Sequence, residues 1–226
     1  MGRRGRSRGA LSARPARGDA RAATRLDPVL SIVVLISGTG SNLRALLEAS
    51  AHPGYPAHVV AVGSDVDDAA GLAHAEAFGI PSFTVAPSAF ATRAAWGDEL
   101  LANIRQWTPD LVVSAGFMRI LPPDVVRALS PRLINTHPAL LPLFPGAHAV
   151  RDALAAGAVE TGVTVHVIDE GVDTGPAIAQ RVVAVRPGEL EGPLHERIKE
   201  VERMLLVQVV RDIAEGTTDL EELTAR

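Results

Sequence analysis

VLSIVVLISGTGSNLRALLEAS, residues 29–50, is the stretch that decides the fold. Residues 29–37 are a continuous run rich in β-branched side chains, which is typical of a strand covered on both faces. Residues 41–50 place Leu43 and Leu47 on one stripe of a helix. A buried strand that turns at once into a helix is the first half of a crossover unit between parallel strands. We therefore expect an α/β fold.

The same alternation continues along the chain. It predicts strands at residues 59–63, 82–85, 111–114 and 132–136, and helices at residues 68–78, 88–107 and from about 122–123. We expect Ser88 to cap the third helix, which ends before Pro109. Later, strands at 162–168 and 177–185 flank a turn-rich loop, and a helix at 190–214 closes the domain. The prediction is a mostly parallel, twisted sheet of about seven strands with flanking helices, Rossmann-like in its first half and hairpin-like in its last strands.

Composition and charge bound the class of protein. The 226 residues are 47% apolar and include no Cys, which predicts one domain with a real core and excludes disulfide, thiolate-zinc and Fe–S sites. No apolar run approaches the ~18 residues of a membrane-spanning helix. Residues 1–27 carry eight Arg against two Asp, or +6, so the remaining residues carry −10 of the total of −4. We predict a disordered Arg-rich extension over 1–27 and a globular domain over 28–226.

The extension allows three interpretations. It could be an RNA-binding arm, an organellar transit peptide or a solvated tail. It contains no aromatic side chain on which a base could stack, which favours the solvated tail.

A Gly-rich turn, residues 37–42 (SGTGSN), lies between the first strand and its helix. The N–H groups of Gly40, Ser41 and Asn42 would point outward at the helix N-terminus, which suits a phosphate. Leu43 stands where a dinucleotide fingerprint has its third Gly, and the ending of a P-loop is absent. The alternative is an ordinary turn with Ser41 as the helix cap.

Asn135 and His137 lie in the segment LINTHP, residues 133–138. Because side chains alternate along a strand, these two point to the same face, and Pro138 places them at the carboxyl end. Ligands bind at that end in open α/β sheets. An amide and an imidazole together can stabilise an oxyanion and move protons. The alternative is a pair satisfied within the core.

Two further segments could complete a site. The loop DEGVDTGP, residues 169–176, could bring Asp173 towards His137, or Asp173 could cap backbone amides in a turn. Residues 116–121 (GFMRIL) could line a pocket for a flat ring, or belong to the core. The His residues show no metal-ligand spacing, so we expect no metal.

Four segments together resemble the phosphoribosylglycinamide formyltransferase family, the folate-dependent enzymes of purine synthesis. They are ISGTGSNL (36–43), SAGFMRIL (114–121), LINTHPALLPLFPG (133–146) and GVTVHVIDEGVDTGP (162–176). The third is shared by all users of formyltetrahydrofolate, whereas the first is more particular to this family. The resemblance runs from about residue 29 to 210, and the extension is a departure from it.

The resemblance implies a role for each matching residue. Asn135 and His137 look like the catalytic pair and Asp173 like the carboxylate that supports the imidazole. The residues that look like the binding site of the ribonucleotide phosphate are Gly40, Ser41 and Asn42. Those that look like folate contacts are Arg93, Met118, Arg119, Ile120 and Leu121. Glu202 matches a position that holds the amine or ribose end of the substrate.

The implied activity is transfer of the formyl group of 10-formyltetrahydrofolate to the amine of 5'-phosphoribosylglycinamide by a cytoplasmic formyltransferase domain at 28–226. The partners are small molecules, with no nucleic acid or membrane, and the protein is expected to be a monomer or homodimer. Three rivals remain: a nicotinamide-dependent oxidoreductase with Asp65 on the ribose, a formyltetrahydrofolate hydrolase, and an RNA-binding module driven by the extension.

Overall fold

The computed structural model describes residue 1 and residues 29–225, so the predicted extension over 1–27 lies outside the described residues apart from Met1. Seven strands form one sheet: β1 Leu30–Ile36, β2 Ala57–Ser64, β3 Ser82–Thr84, β4 Leu111–Ser114, β5 Leu133–His137, β6 Glu160–Val167 and β7 Ala177–Ala184. Their order is β3-β2-β1-β4-β5-β6-β7. The first five are parallel, and β6 pairs antiparallel with both β5 and β7. The predicted mostly parallel sheet with a hairpin-like end is confirmed.

Seven α-helices flank the sheet in the described part of the chain. They are α1 Ser41–Ser50, α2 Leu72–Ala77, α3 Arg93–Arg105, α4 Pro123–Leu129, α5 Ala149–Ala155, α6 Glu191–Ala214 and α7 Leu220–Thr224. None of them combines the length and the apolar character needed to cross a bilayer.

Alternate side chains of β1 supply two separate cores, as expected for a strand covered on both faces. Ile32 and its neighbours on one face pack with α1 and α6, whereas Val33 and Leu35 pack with α3 and α4 on the other. Burial of one such side chain stabilises the fold by roughly 1.5–3 kcal/mol. The central strand is thereby fixed on both sides, and so is the turn that follows it.

The structure differs from the prediction at the third helix. Ser88 does not cap it, because residues Pro87–Ala89 form a separate 3-10 turn. Instead, α3 begins at Arg93, and the side chain of Thr92 accepts a hydrogen bond from the Ala95 N–H at 3.1 Å. A Pro at the first turn favoured the early start in sequence terms, but the Thr cap three residues before Ala95 satisfies the orphan donors of the longer helix.

Two other differences concern the end of the chain. The helices α5 and α7 were not predicted, and α7 begins where Asp219 accepts from the N–H groups of Glu221 and Glu222. The polar residues that alternate along β6, Thr164 and His166, are buried rather than exposed. The reason is that β6 lies inside the sheet, between β5 and β7.

The strand order creates a crevice at the carboxyl edge of the sheet. The chain leaves β1 towards β2 and β3, then returns to place β4 on the other side of β1. Such a reversal is the topological switch point at which α/β folds bind ligands. The turn after β1 and the loop after β4 meet there, since Ser37 N–H donates to Gly116 O at 3.1 Å and Met118 N–H donates to Ser37 Oγ at 2.7 Å.

Candidate active site

The carboxyl end of β5 presents the predicted amide and imidazole on one face of the sheet. His137 is the last residue of the strand and is buried, whereas Asn135 is partly exposed. Pro138 follows at once, and the chain turns away into the segment 138–148. This segment is held by Thr164 of β6, whose hydroxyl donates to Ala139 O at 2.7 Å and accepts from Leu141 N–H at 3.0 Å.

Asp173 lies between two imidazoles. Its Oδ2 is 3.3 Å from Nδ1 of His137, and its Oδ1 is 3.6 Å from Nε2 of His166. The Gly146 N–H also donates to Oδ2, at 2.8 Å. Asp173 has a φ of 55°, in the left-handed region that non-glycine residues avoid. The strained backbone and three contacts fix the carboxylate in one place, which is typical of functional sites.

The electrostatic surroundings keep this carboxylate ionised. The facing His166 imidazole is the largest influence that lowers the pKa of Asp173, and the Gly146 N–H and the charge of His137 add to it. Partial burial raises the pKa but is outweighed. The carboxylate is thus available at neutral pH to orient and to charge an imidazole.

The second nitrogen of His137 is engaged as well. Nε2 lies 2.8 Å from the carbonyl oxygen of Phe144, which can only accept, so Nε2 carries a proton. Phe144 also has a left-handed φ, 54°. His137 therefore presents an N–H at Nε2 and faces a carboxylate at Nδ1, the arrangement of an oriented acid or hydrogen-bond donor.

The turn after β1 builds a concave backbone surface at the start of α1. Gly40 is the residue before the helix and has a φ of 70°, and no side chain caps it. Ser41 is therefore not the cap, and its N–H and that of Asn42 have no acceptor within the helix. The turn rests on the start of α2: Gly71 N–H donates to Gly38 O at 2.9 Å, and a Cβ on Gly40 would lie 2.8 Å from Gly71 Cα.

Asn42 adds a polar side chain to this surface. It is buried, and its Nδ2 donates to Thr136 Oγ1 of β5 at 3.4 Å. Its Oδ1 is buried without a hydrogen-bond partner among the described residues. A buried acceptor without a partner costs roughly 1–3 kcal/mol, which a ligand can recover.

The residues predicted to contact folate lie beside the loop after β4. Arg93 and Arg119 line a cavity of about 280 Å³ together with Phe90 and Trp96. Both guanidinium groups are anchored, Arg93 by the Ile120 carbonyl and Arg119 by Asp65, whose Oδ2 is 2.5 Å from Arg119 Nε.

Of the other predicted contacts, Met118 and Ile120 are strongly exposed, whereas Leu121 is part of the core beneath them. A second cavity, of about 550 Å³, lies between α4, α7 and the loop 168–176.

Glu202 lies apart from these groups, on α6. It interrupts the otherwise apolar buried stripe of that helix, and no described residue forms an ion pair with it. Since α6 packs against α1, the helix that follows the Gly-rich turn, Glu202 belongs to the same side of the sheet as that turn. Residues 29–225 contain no group of three or more His, Asp and Glu arranged to hold a metal ion.

Comparison with known proteins agrees with this arrangement. Residues 30–210 match the family model described as Formyl transferase. The chain is 53% identical over 183 residues to the phosphoribosylglycinamide formyltransferase of Mycobacterium tuberculosis, covering 81% of this chain and 84% of that protein. It is 41% identical to the enzyme of the same name from Escherichia coli K12, covering 87% and 92%. The chain belongs to the phosphoribosylglycinamide formyltransferase family.

Solved structures of this family share the fold. The glycinamide ribonucleotide transformylase 1 of Symbiobacterium toebii superposes with a TM-score of 0.81 at 38% identity, covering 83% of this chain and 89% of that one. The phosphoribosylglycinamide formyltransferase of Brucella melitensis gives 0.78 at 40% identity, covering 84% and 98%. The predicted family, fold and formyl-transferring enzyme class of purine biosynthesis are confirmed.

Membership in the formyltransferase family disfavours the oxidoreductase rival, and so does the structure. Asp65, its candidate ribose acceptor, is buried and paired with Arg119. One site residue was missed altogether. His166 pairs with Asn135 across β5 and β6, and its Nε2 lies 3.2 Å from Asn135 Nδ2. The available signal was a His within an alternating Val strand, which only the register of that strand connects to Asn135.

Proposed function

We propose that this chain transfers the formyl group of 10-formyltetrahydrofolate to the amine of 5'-phosphoribosylglycinamide. The observation that carries the proposal is the cluster of Asn135, His137 and Asp173 at the end of a central strand, in a chain of this family. The reaction joins two small molecules and fits the crevice at the carboxyl edge of the sheet.

The Gly-rich turn is the proposed site of the substrate phosphate. Backbone N–H groups of Gly40, Ser41 and Asn42 at a helix N-terminus attract a phosphate through the helix dipole and direct hydrogen bonds. The unpartnered Oδ1 of Asn42 would accept a hydroxyl or water of the ribonucleotide. Glu202 is proposed to hold the amine or ribose end from α6.

The cavity beside β4 is the proposed site of the folate. Arg93 and Arg119 offer two anchored cations for the carboxylates of a glutamyl tail, and Phe90 and Trp96 offer aromatic surface for the neighbouring ring. Met118 and Ile120 are exposed apolar side chains at the mouth of the crevice, where the cofactor would cover them. Leu121 supports them from the core.

The proposed chemistry is direct acyl transfer. The substrate amine attacks the formyl carbon, and the electron pair of the C=O bond moves to oxygen, which gives a tetrahedral oxyanion. Asn135 Nδ2–H and His137 Nε2–H donate to this oxygen, and one such donor is typically worth ~10²–10³ in kcat. The C–N10 bond then breaks as the carbonyl re-forms. The proton lost by the amine reaches N10, relayed by water that Asp173 and His137 orient.

One contact must change for this to happen. Nε2 of His137 donates to Phe144 O in the structure, so the oxyanion would have to replace or share that acceptor. Since Phe144 lies in the segment 138–148, a shift of that segment on substrate binding would release the donor. Binding energy from the phosphate, far from the reacting atoms, can drive such a shift.

The decisive experiment is a formyl-transfer assay on the purified chain with both substrates. Formylated ribonucleotide and tetrahydrofolate should form in equal amounts, with formate absent. Formate production that does not depend on the ribonucleotide would instead support the hydrolase. The cytoplasmic location and the monomeric or dimeric state remain predictions, the latter measurable by light scattering.

A further inference from the structure

His166 is enclosed by three polar groups. It is 2% exposed, and its Nε2 lies 3.2 Å from Asn135 Nδ2 and 3.6 Å from Asp173 Oδ1. Its Nδ1 lies 2.9 Å from the carbonyl oxygen of Val167. The role proposed for Asn135 does not use this neighbour, although no polar group lies nearer to the amide.

The protonation of His166 follows from its partners. A carbonyl oxygen can only accept, so Nδ1 carries a hydrogen in every charge state of the ring. A neutral His166 then has a lone pair at Nε2, whereas a charged His166 has an N–H there. The state of Nε2 therefore reports the charge of the ring.

That charge dictates how Asn135 turns its amide. A neutral Nε2 accepts from Asn135 Nδ2, which is the orientation in the structure and directs the amide oxygen away from His166. A protonated Nε2 donates to Asn135 Oδ1 instead, so the amide turns over and its NH₂ becomes the free end. Only the second orientation offers a donor to an oxyanion.

The surroundings favour the charged form. Asp173 is the ion-pair partner of His166 within residues 29–225, and the other titratable group on that carboxylate is His137. Residues of β7 opposite His166, Ala177 and Ala179, carry no charge. A carboxylate at this distance in a buried site stabilises an imidazolium, and a second imidazole on the same carboxylate competes for it.

We propose that His166 is a positioning residue whose imidazolium, held by Asp173, turns the Asn135 amide so that its N–H donates to the oxyanion. The inference rests on the formyl transfer proposed above. It predicts that turnover requires charge on a histidine that does not touch the substrate.

The first test observes the ring itself. Nitrogen-15 NMR of the full chain with labelled histidine distinguishes an imidazolium from a neutral ring, and the His166→Gln spectrum assigns the signal. We expect both nitrogens to be protonated at the pH of maximal kcat, with loss of the Nε2 proton where kcat falls at high pH. A neutral ring throughout the active pH range would overturn the proposal.

The second test compares two replacements. Gln at position 166 can donate to Asn135 Oδ1 without charge, whereas Leu cannot. We expect His166→Leu to lose ~10²–10³ in kcat, the value of an oxyanion donor, with little change in KM. His166→Gln should recover most of that loss and lack the high-pH decline assigned to position 166. Equal kcat in the two variants would contradict the proposal.

His58→Gln is the matched control, because His58 is exposed on β2 near the amino end of the strand. It should leave kcat and its pH profile unchanged. If His166→Leu does not fold, the NMR measurement and the Gln variant still decide. Absence of formyl transfer by the unaltered chain would refute the proposed function, whereas normal transfer with a neutral His166 refutes only this inference.

Discussion

At the scale of single residues, one carboxylate serves two imidazoles. Asp173 presents one oxygen to His137 and the other to His166, and its left-handed backbone keeps both contacts at once. Such a backbone costs of order 1–3 kcal/mol, so the surrounding loop must over-determine it. The Thr174 hydroxyl and the Gly171 N–H supply part of that restraint, since both donate to Asp169 Oδ1, at 2.7 and 3.0 Å.

Asp173→Asn should therefore act on turnover rather than on binding. The amide keeps the shape of the side chain but cannot charge either imidazole, so we expect kcat to fall by ~10²–10⁴ with the KM of both substrates little changed. Steady-state kinetics on the purified variant measure this. Asp98→Asn, an exposed substitution on α3, is the control. Turnover near that of the unaltered chain would remove Asp173 from the mechanism.

Arg93 should affect binding instead. Losing one charge-assisted hydrogen bond to a tail carboxylate costs roughly 1.5 kcal/mol, so Arg93→Gln should raise the KM of the folate by about tenfold with kcat retained. A folate analogue without the glutamyl tail should not distinguish the variant from the unaltered chain. Arg105→Gln, at the other end of α3, is the control. An equal effect on the tail-less analogue would place Arg93 elsewhere.

At the scale of elements, local patterns predicted what neighbours in sequence decide. The β-branched run and the leucine stripe gave β1 and α1, and alternation with a following Pro placed Asn135 and His137 on one face at the end of β5. His166 escaped because its role depends on the antiparallel register between β5 and β6. That register is a long-range property, set by packing and by the loops, and no spacing in the sequence contains it.

The contact between the Gly-rich turn and α2 is another long-range feature, and it is testable. A Cβ on Gly71 would lie 2.9 Å from Gly40 Cα and 3.0 Å from Gly38 O. Gly71→Ala should thus displace the turn, raise the KM of the ribonucleotide and cost about 1–3 kcal/mol in the free energy of unfolding. Kinetics and chemical denaturation measure the two effects.

Gly192→Ala is the matched control for that substitution, because its Cβ would enter open space on α6. It should leave the KM unchanged and leave stability equal or slightly higher, since Ala favours a helix. A Gly71→Ala protein with normal ribonucleotide KM would mean that the phosphate does not bind at the turn.

At the scale of the whole molecule, the charge is divided between two parts of the chain. Residues 28–226 carry −10, although the proposed substrates, a phosphate ester and a folate, are anions. The proposed sites resolve this locally, with helix N–H groups at one and two Arg side chains at the other. At physiological salt the screening length is about 8 Å, so charges outside the crevice contribute little.

Deletion of residues 1–27 tests whether the +6 extension matters to the reaction. It changes the net charge from −4 to −10 but removes none of the residues proposed to bind or react, which lie between positions 40 and 202. We therefore expect kcat, both KM values and the Tm to be unchanged at about 0.15 M salt, where screening is strong. A large fall in kcat/KM at that salt would show that the extension takes part in substrate binding. If the full chain instead binds RNA with an affinity that decreases steeply with salt and disappears on deletion, the extension has a separate role that the catalytic domain does not need.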